Sequence, residues 1–117
     1  MTCTRIVFND DQRDFLDYRQ GSGKTIEIFD ICVGSDRRTG IGRAMVYQLY
    51  KLVDSDTTLV WAITRSSNFI AQRFYEELGF RVIGVLRDFY QDEHTSRIVD
   101  AIMYGVDKSE RTWGKQR

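Results

Sequence analysis

Six consecutive residues, Arg37-Arg38-Thr39-Gly40-Ile41-Gly42, carry the clearest chemical signal in the sequence. Gly40 and Gly42 present no Cβ, so a bulky anion can approach the backbone closely. A helical pattern starts at Ile41, and the first turn of a helix offers unpaired N–H groups and the positive end of its dipole. Such a turn binds phosphate or pyrophosphate, and Arg37, Arg38 and Arg43 add positive charge around it. Two other phosphate motifs fail. A nucleotide-hydrolase loop needs Lys and Ser/Thr after its last glycine, where Arg43 and Ala44 stand. The dinucleotide fingerprint lacks its three-glycine spacing. Gly21-Ser22-Gly23-Lys24 feeds a strand and reads as a plain turn. A tight loop with no ligand is the alternative reading of Gly40 and Gly42.

A second signal is the pair of carboxylates, Glu27 and Asp30, inside the apolar run Thr25 to Val33. Strand alternation puts Glu27, Phe29, Ile31 and Val33 on one face and Ile28, Asp30 and Cys32 on the other. Acidic residues in such a strand lie at the edge of the apolar zone, in a salt bridge, or in a cleft. The two cysteines and single histidine make no metal-ligand cluster. Cys32 reads as a small buried hydrophobe, and no neighbouring residue would activate it as a nucleophile.

The elements that must position these groups follow from periodicity. Thr4 to Phe8 reads as a strand. Gln12 to Gln20 leans to a strand in a hairpin with the next segment. Thr25 to Val33 is apolar on both faces and therefore central in its sheet. Gly34 to Gly40 is a polar loop. Ile41, Met45, Leu49 and Leu52 recur at helical spacing over Ile41 to Leu52. Thr58 to Ile63 is a strand, and Phe69 to Leu78 a helix closed by Gly79. Phe80 to Leu86 and Arg97 to Val106 are strands, joined by a polar connection from Asp88 to Thr95. The tail from Asp107 is charged and expected to fray. The order predicts one α/β domain over residues 1–117, a mixed sheet covered by helices.

Composition narrows the function. The hydrophobic fraction of 42% fits a folded protein. Lys+Arg and Asp+Glu both number 17, so nothing favours a general nucleic-acid binder. No apolar stretch approaches the ~20 residues of a membrane span, and no signal-peptide pattern opens the chain; the expected location is the cytoplasm.

Arg37-x-x-Gly40-x-Gly42, following a strand that ends in Val33, resembles the acyl-CoA signature Gln/Arg-x-x-Gly-x-Gly/Ala of the GNAT superfamily of N-acetyltransferases. Asn68-Phe69-Ile70-Ala71 followed by Phe74-Tyr75-Glu76-Glu77-Leu78-Gly79-Phe80 resembles that family's second signature, Asn-x-x-Ala-x-x-x-Tyr-Glu-x-x-Gly-Phe. Asp88-Phe89-Tyr90 and Val99-Asp100-Ala101-Ile102-Met103 resemble closing segments of the subgroup that acetylates ribosomal-protein N-termini. The resemblance spans about two-thirds of the chain, from Ile26 to Tyr104. One departure is plain. Only 26 residues precede Glu27, too few for the strand and two helices with which the family usually begins.

The resemblance implies a GNAT-like, mostly antiparallel sheet flanked by helices, lacking most of that N-terminal strand-helix-helix region. It implies acetyl-CoA as cofactor and direct transfer of acetyl to a primary amine on a peptide, protein N-terminus, lysine or small molecule, with no metal. Ile31, Cys32 and Val33 would bond the pantetheine arm. The loop Arg37, Arg38, Thr39, Gly40, Ile41 and Gly42, with Arg43 and Ala44, would hold the pyrophosphate. Asn68, Ala71 and Phe74 would border the cofactor. Tyr75 matches the family's proton donor to the leaving thiolate. Glu27 is the preferred base and Asp30 its rival. Tyr90, Glu93 and His94 would border the acceptor. A non-catalytic acyl-CoA-binding or regulatory module is the alternative function. The short N-terminal region leaves part of the sheet without cover, so a homodimer is expected, with Ile6, Phe8, Phe15, Tyr18 and Trp113 as contact candidates.

Overall fold

β-branched and aromatic residues in period-two runs give six strands, and two amphipathic runs give the helices. The computed structural model describes residues 3–7, 14–21, 23–33, 40–52, 56–92 and 94–107. Its elements are β1 (Thr4–Val7), β2 (Asp14–Gln20), β3 (Thr25–Val33), α1 (Ile41–Leu52), β4 (Leu59–Arg65), α2 (Phe69–Glu77), β5 (Arg81–Gln91) and β6 (Ile98–Asp107). The strands form one sheet in the order β1-β2-β3-β4-β6-β5. Every neighbouring pair is antiparallel except β3 and β4. This is the expected mixed, mostly antiparallel sheet flanked by helices. Three strands precede the first helix, and no strand-helix-helix unit stands before them among the described residues.

The segment that leaned to strand does pair with its successor, as β2 against β3. The central position of β3 also holds. Two boundaries differ. β4 continues through Thr64 and Arg65, because its ladder with β6 runs on to Arg65 opposite Ala101. The connection expected from Asp88 is instead strand as far as Gln91. A register shift between Leu86 and Tyr90 absorbs the polar residues there, with Asp88 at φ +53° donating its N–H to Asp100 Oδ1 at 2.8 Å. A bulge of this kind is invisible to alternation counting, since the extra residues break the period locally.

Both helices lie on one face of the sheet. Met45, Val46 and Leu49 of α1 and Tyr75 of α2 join Leu16, Ile26, Ile28, Val60, Ala62 and Tyr104 in a single apolar cluster. Burying a side chain of this size stabilises the fold by ~1.5–3 kcal/mol. Leu52 falls outside the packed stripe and stays exposed. No helix among the described residues covers the opposite face. That face carries Arg5, Asp17, Arg19, Glu27 and Arg65. Arg5 bonds Asp17 at 2.7 Å and Arg19 bonds Glu27 at 2.8 Å.

The expected contact residues are corrected in part. Ile6 is buried in the core, and Phe15 and Tyr18 are half-buried, Phe15 beneath the Arg5 guanidinium. Phe8 and Trp113 lie outside the described residues. The exposed apolar groups are elsewhere, among them Phe69 and Ile70 on α2, Ile98 on β6, and Val82, Ile83 and Val85 on the edge strand β5. No described helix is long and apolar enough to cross a membrane.

Candidate active site

The site begins where two parallel strands part. β3 and β4 pair only over Thr25–Glu27 against Leu59–Trp61. Beyond that point each follows its outer neighbour, β3 with β2 to Val33 and β4 with β6 to Arg65. A bulge assists the parting. Asp17 pairs with Asp30 but Tyr18 pairs with Ile28, so Phe29 is an extra residue in β3. Bulges bend the strand that carries them and increase its twist.

The gap is a cleft of about 500 Å³. Ile28, Asp30 and Ile31 line one wall, and Ile63 and Thr64 the other. Gly42 of α1 and Asn68, Ala71, Phe74 and Tyr75 at α2 also line it, with Phe29, Ile70, Arg73 and Glu77 around them. Across the gap the two strands make no ladder with each other, so their inner edges offer backbone donors and acceptors to whatever enters. A slot with apolar walls and unpaired strand edges fits an extended chain that carries amides.

Local sequence sets each lining residue. Gly40 has φ +78°, a conformation that favours glycine, and its carbonyl accepts the first α1 bond from Ala44 N–H at 3.0 Å. Gly42 serves packing. A Cβ there would come within 2.5 Å of Phe74 Cε1, so glycine lets α1 close against α2. Asn68 caps α2, its Oδ1 accepting from Ala71 N–H at 3.0 Å. The other end of α2 turns on Gly79 at φ +93°. There Gly79 N–H bonds Glu76 O and Phe80 N–H bonds Tyr75 O, both at 3.0 Å.

That turn brings the Phe80 ring back to 5.4 Å from Tyr75. Phe74 lies at 5.4 Å and Tyr104 at 5.7 Å, the latter stacked at 25°. Tyr75 is thus 7% exposed and held by three rings, yet it lines the cleft. Burial, with smaller contributions from the charge of Asp30 and from Tyr90, pushes its phenol well above the usual range. The group stays protonated at any physiological pH.

The sequence placed Glu27 and Asp30 on opposite faces, and the bulge overturns this. With Phe29 as the extra residue, both carboxylates fall on the helix-free face, Glu27 opposite Arg19 and Asp30 opposite Asp17. Glu27 sits at the fork, paired with Trp61, 8% exposed and bonded to Arg19 Nε. It is not among the cleft-lining residues; Asp30 is. Tyr90 lies on the same helix-free face, half-buried, with the Arg65 guanidinium 4.4 Å above its ring. Burial raises the Tyr90 phenol, Arg65 opposes that, and Glu27 adds to it. Tyr75 from the helical face and Asp30 from the other therefore line one gap, with Glu27 at its fork.

The remaining expected residues divide. Ile31, Gly42, Asn68, Ala71 and Phe74 line the cleft, whereas Cys32, Arg43 and Ala44 are half-buried beside it. Val33 ends β3. His94 is exposed in the β5–β6 turn, its N–H bonded to Asp92 Oδ1 at 2.9 Å, and the structure does not bring it to the cleft. Arg37, Arg38, Thr39 and Glu93 lie outside the described residues, as does the side chain of Ile41. Sequence reasoning missed Arg19, Arg65 and Thr64. The signal available for Arg65 was a charged residue ending the apolar run Leu-Val-Trp-Ala-Ile-Thr.

Comparison with known proteins agrees with this geometry. The model of the acetyltransferase (GNAT) family matches residues 3–80. Among solved structures, smu.2055 from Streptococcus mutans UA159 is 31% identical with a TM-score of 0.79, over 91% of this chain and 70% of that one. The ribosomal-protein-S18-alanine N-acetyltransferase of Escherichia coli is 27% identical, TM-score 0.72, over 89% of this chain and 66% of that one. NAA60 of Arabidopsis thaliana in complex with acetyl-CoA is 18% identical, TM-score 0.68, over 82% and 65% respectively, and shares the fold. The chain thus spans about two-thirds of the length of these relatives. No curated protein matches it by sequence. The similar structures are of several kinds and single out no subgroup. Two strands that part around a buried tyrosine, together with the family match over most of the sequence, place this chain in the GNAT acetyltransferase family.

Proposed function

We propose that the chain is an acetyl-CoA-dependent N-acetyltransferase that moves the acetyl group directly to a primary amine. The observation that carries this reading is the gap between β3 and β4, which opens from a pocket beside Tyr75 toward the carboxylates of the helix-free face. Acetyl-CoA fits the residues present. Ile28 and Ile31 on one wall and Ile63 on the other accept an extended apolar arm. The start of α1, from Gly40, supplies N–H groups for the pyrophosphate, with Arg37, Arg38, Thr39 and Ile41 as further candidates from the sequence. NAA60, which shares the fold, is known in complex with acetyl-CoA. Bound there, acetyl-CoA supplies an activated thioester.

The chain's own groups do the rest. Glu27 and Asp30 draw a cationic amine to the helix-free end of the gap. Asp30, which lines the cleft, accepts the ammonium proton at its carboxylate; Glu27, held by Arg19, keeps the local field negative. Tyr75 gives its phenolic proton to the leaving sulfur. Desolvation raises the basicity of a thiolate as it raises that of the phenol, so the two groups stay matched in the same pocket. The likeness of Asp88-Phe89-Tyr90 to the ribosomal-protein-acetylating subgroup favours a peptide N-terminus as acceptor.

A thiol-release assay with acetyl-CoA and a panel of amines and peptides tests the function. An enzyme frees CoA only when an acceptor is added. Binding of acetyl-CoA with no release across the panel would identify the non-catalytic module instead. The homodimer is part of the proposal, with Val82, Ile83 and Val85 in place of Ile6 at the contact. A species of 13.7 kDa with full activity in sedimentation equilibrium would rule it out.

A further inference from the structure

The arginines of the helix-free face are used in two ways. Arg5 lies 3.8 Å over Phe15 and gives its guanidinium to Asp17. Arg19 lies 4.7 Å over Phe29 and bonds Glu27. Arg65 stacks on Tyr90 in the same manner but forms no ion pair among the described residues. The carboxylate whose field it reaches, Asp92, already accepts the backbone N–H of His94 in its own turn. A guanidinium stacked on a ring keeps its in-plane N–H donors pointing outward, in the fork that matches a carboxylate. Tyr90 is itself braced edge-on by Phe89 at 5.0 Å. Arg65 is therefore an exposed cation stacked on a ring, with no ion-pair partner among the described residues.

Its position gives it a use. Register puts Arg65 opposite Ala101 and Tyr90 opposite Val99, two residues along β6, so both share the helix-free face. Ile63 and Thr64 line the gap, and Arg65 follows them directly on β4, on the same face as Ile63. The mouth of the gap thus has a negative wall on β3 and a positive wall at the end of β4. An amine with a single charge satisfies only the first.

We propose that the Arg65–Tyr90 shelf is an anion receptor for the acceptor, which is an amine that also carries a carboxylate. The amine enters toward Asp30 while the carboxylate lies on Arg65. This inference rests on the site being where an acceptor amine binds. It selects acidic acceptors over neutral ones of the same shape. The carboxylate can belong to a free amino acid or to an acidic residue near a peptide N-terminus.

The test is calorimetry on the full chain saturated with CoA, a condition in which no turnover occurs. The probes are β-alanine against its amide, and the C-terminally amidated peptides Ala-Glu-Ala and Ala-Gln-Ala. At least one acidic probe should bind ten- to a hundredfold more tightly than its neutral partner, as a charged hydrogen-bonded pair is worth. Which pair shows the preference identifies the source of the carboxylate. Arg65→Gln should abolish it without moving the affinity for CoA, and Arg65→Lys should restore part of it. Equal binding of each pair, no binding by any probe, or a preference that survives Arg65→Gln overturns the inference. Acetyl transfer separates this from the function itself. Transfer without acid preference removes the receptor and keeps the enzyme, whereas acid preference in binding without CoA release does the reverse.

Discussion

The two faces of the sheet hold their functional groups by different physics. On the helical face, Tyr75 is fixed by packing: three aromatic rings, a capped helix and a glycine turn leave it one exposed edge. On the open face, Glu27 is fixed by an ion pair to Arg19, whose side chain is 38% exposed. Packing in a dry interior is stiff and insensitive to salt, while partly exposed ion pairs are compliant and screened. The proposed proton donor is therefore built into the core of the fold. The proposed acceptor side is held by the more compliant and salt-sensitive contacts.

The largest expected effect comes from removing the donor. Tyr75→Phe keeps the ring packing and deletes only the hydroxyl, so kcat should fall about a hundredfold or more. Acetyl-CoA affinity by calorimetry should stay within about twofold, since the ring that lines the cleft is kept and only the hydroxyl is lost. Equal turnover of the two proteins between pH 7 and 9 would remove Tyr75 from the mechanism.

The open face should respond more gradually. Asp30→Asn is expected to lower kcat about a hundredfold, and Glu27→Gln to raise the acceptor KM while keeping most of kcat. The opposite pattern would transfer the base role to Glu27. Added salt should weaken acceptor binding in the wild type and act less in Glu27→Gln.

Stability should show the same division. Gly42→Ala forces a methyl group against Phe74, and overpacking of this sort costs ~1–3 kcal/mol, read as a lower midpoint in urea. Alkali attacks the packed face in particular. The Tyr75 phenol is raised and that of Tyr104 is pushed up to about 12 by burial and its bond to Glu76. The unfolded chain ionises its tyrosines near the ordinary value of about 10. The contribution of these phenols is thus complete below that pH and is lost as pH climbs toward the folded values. Thermal midpoints should be level up to pH 9 and fall above pH 10. A midpoint unchanged to pH 11 would contradict the burial of these hydroxyls.

How much of this was legible in the sequence follows the same line. β3 was readable because it is apolar on both faces, and α2 because Asn68 and Gly79 punctuate it at both ends. Tyr75 was readable through the motif that contains it. The single extra residue Phe29 was not, since an alternating pattern with one insertion still reads as alternating. That one residue moved Asp30 to the face of Glu27. Gly42 was legible as a glycine with a purpose, but its closeness to Phe74 depends on two helices far apart in sequence. Arg65 was missed for a related reason. Its partner ring is on β5, in a stretch whose bulge made it look like loop.

Acetyl-CoA is proposed to enter the gap between β3 and β4. Ala71 lines that gap from α2 and is half-buried, so Ala71→Trp places an indole in the slot while leaving the helix and its cap in position. Calorimetry with acetyl-CoA on the wild type and this variant, each checked for a cooperative thermal transition, is the direct test. One site per chain is expected in the wild type and none in Ala71→Trp, with both proteins folded. Undiminished binding by the folded variant, or no binding by the wild type, would contradict it.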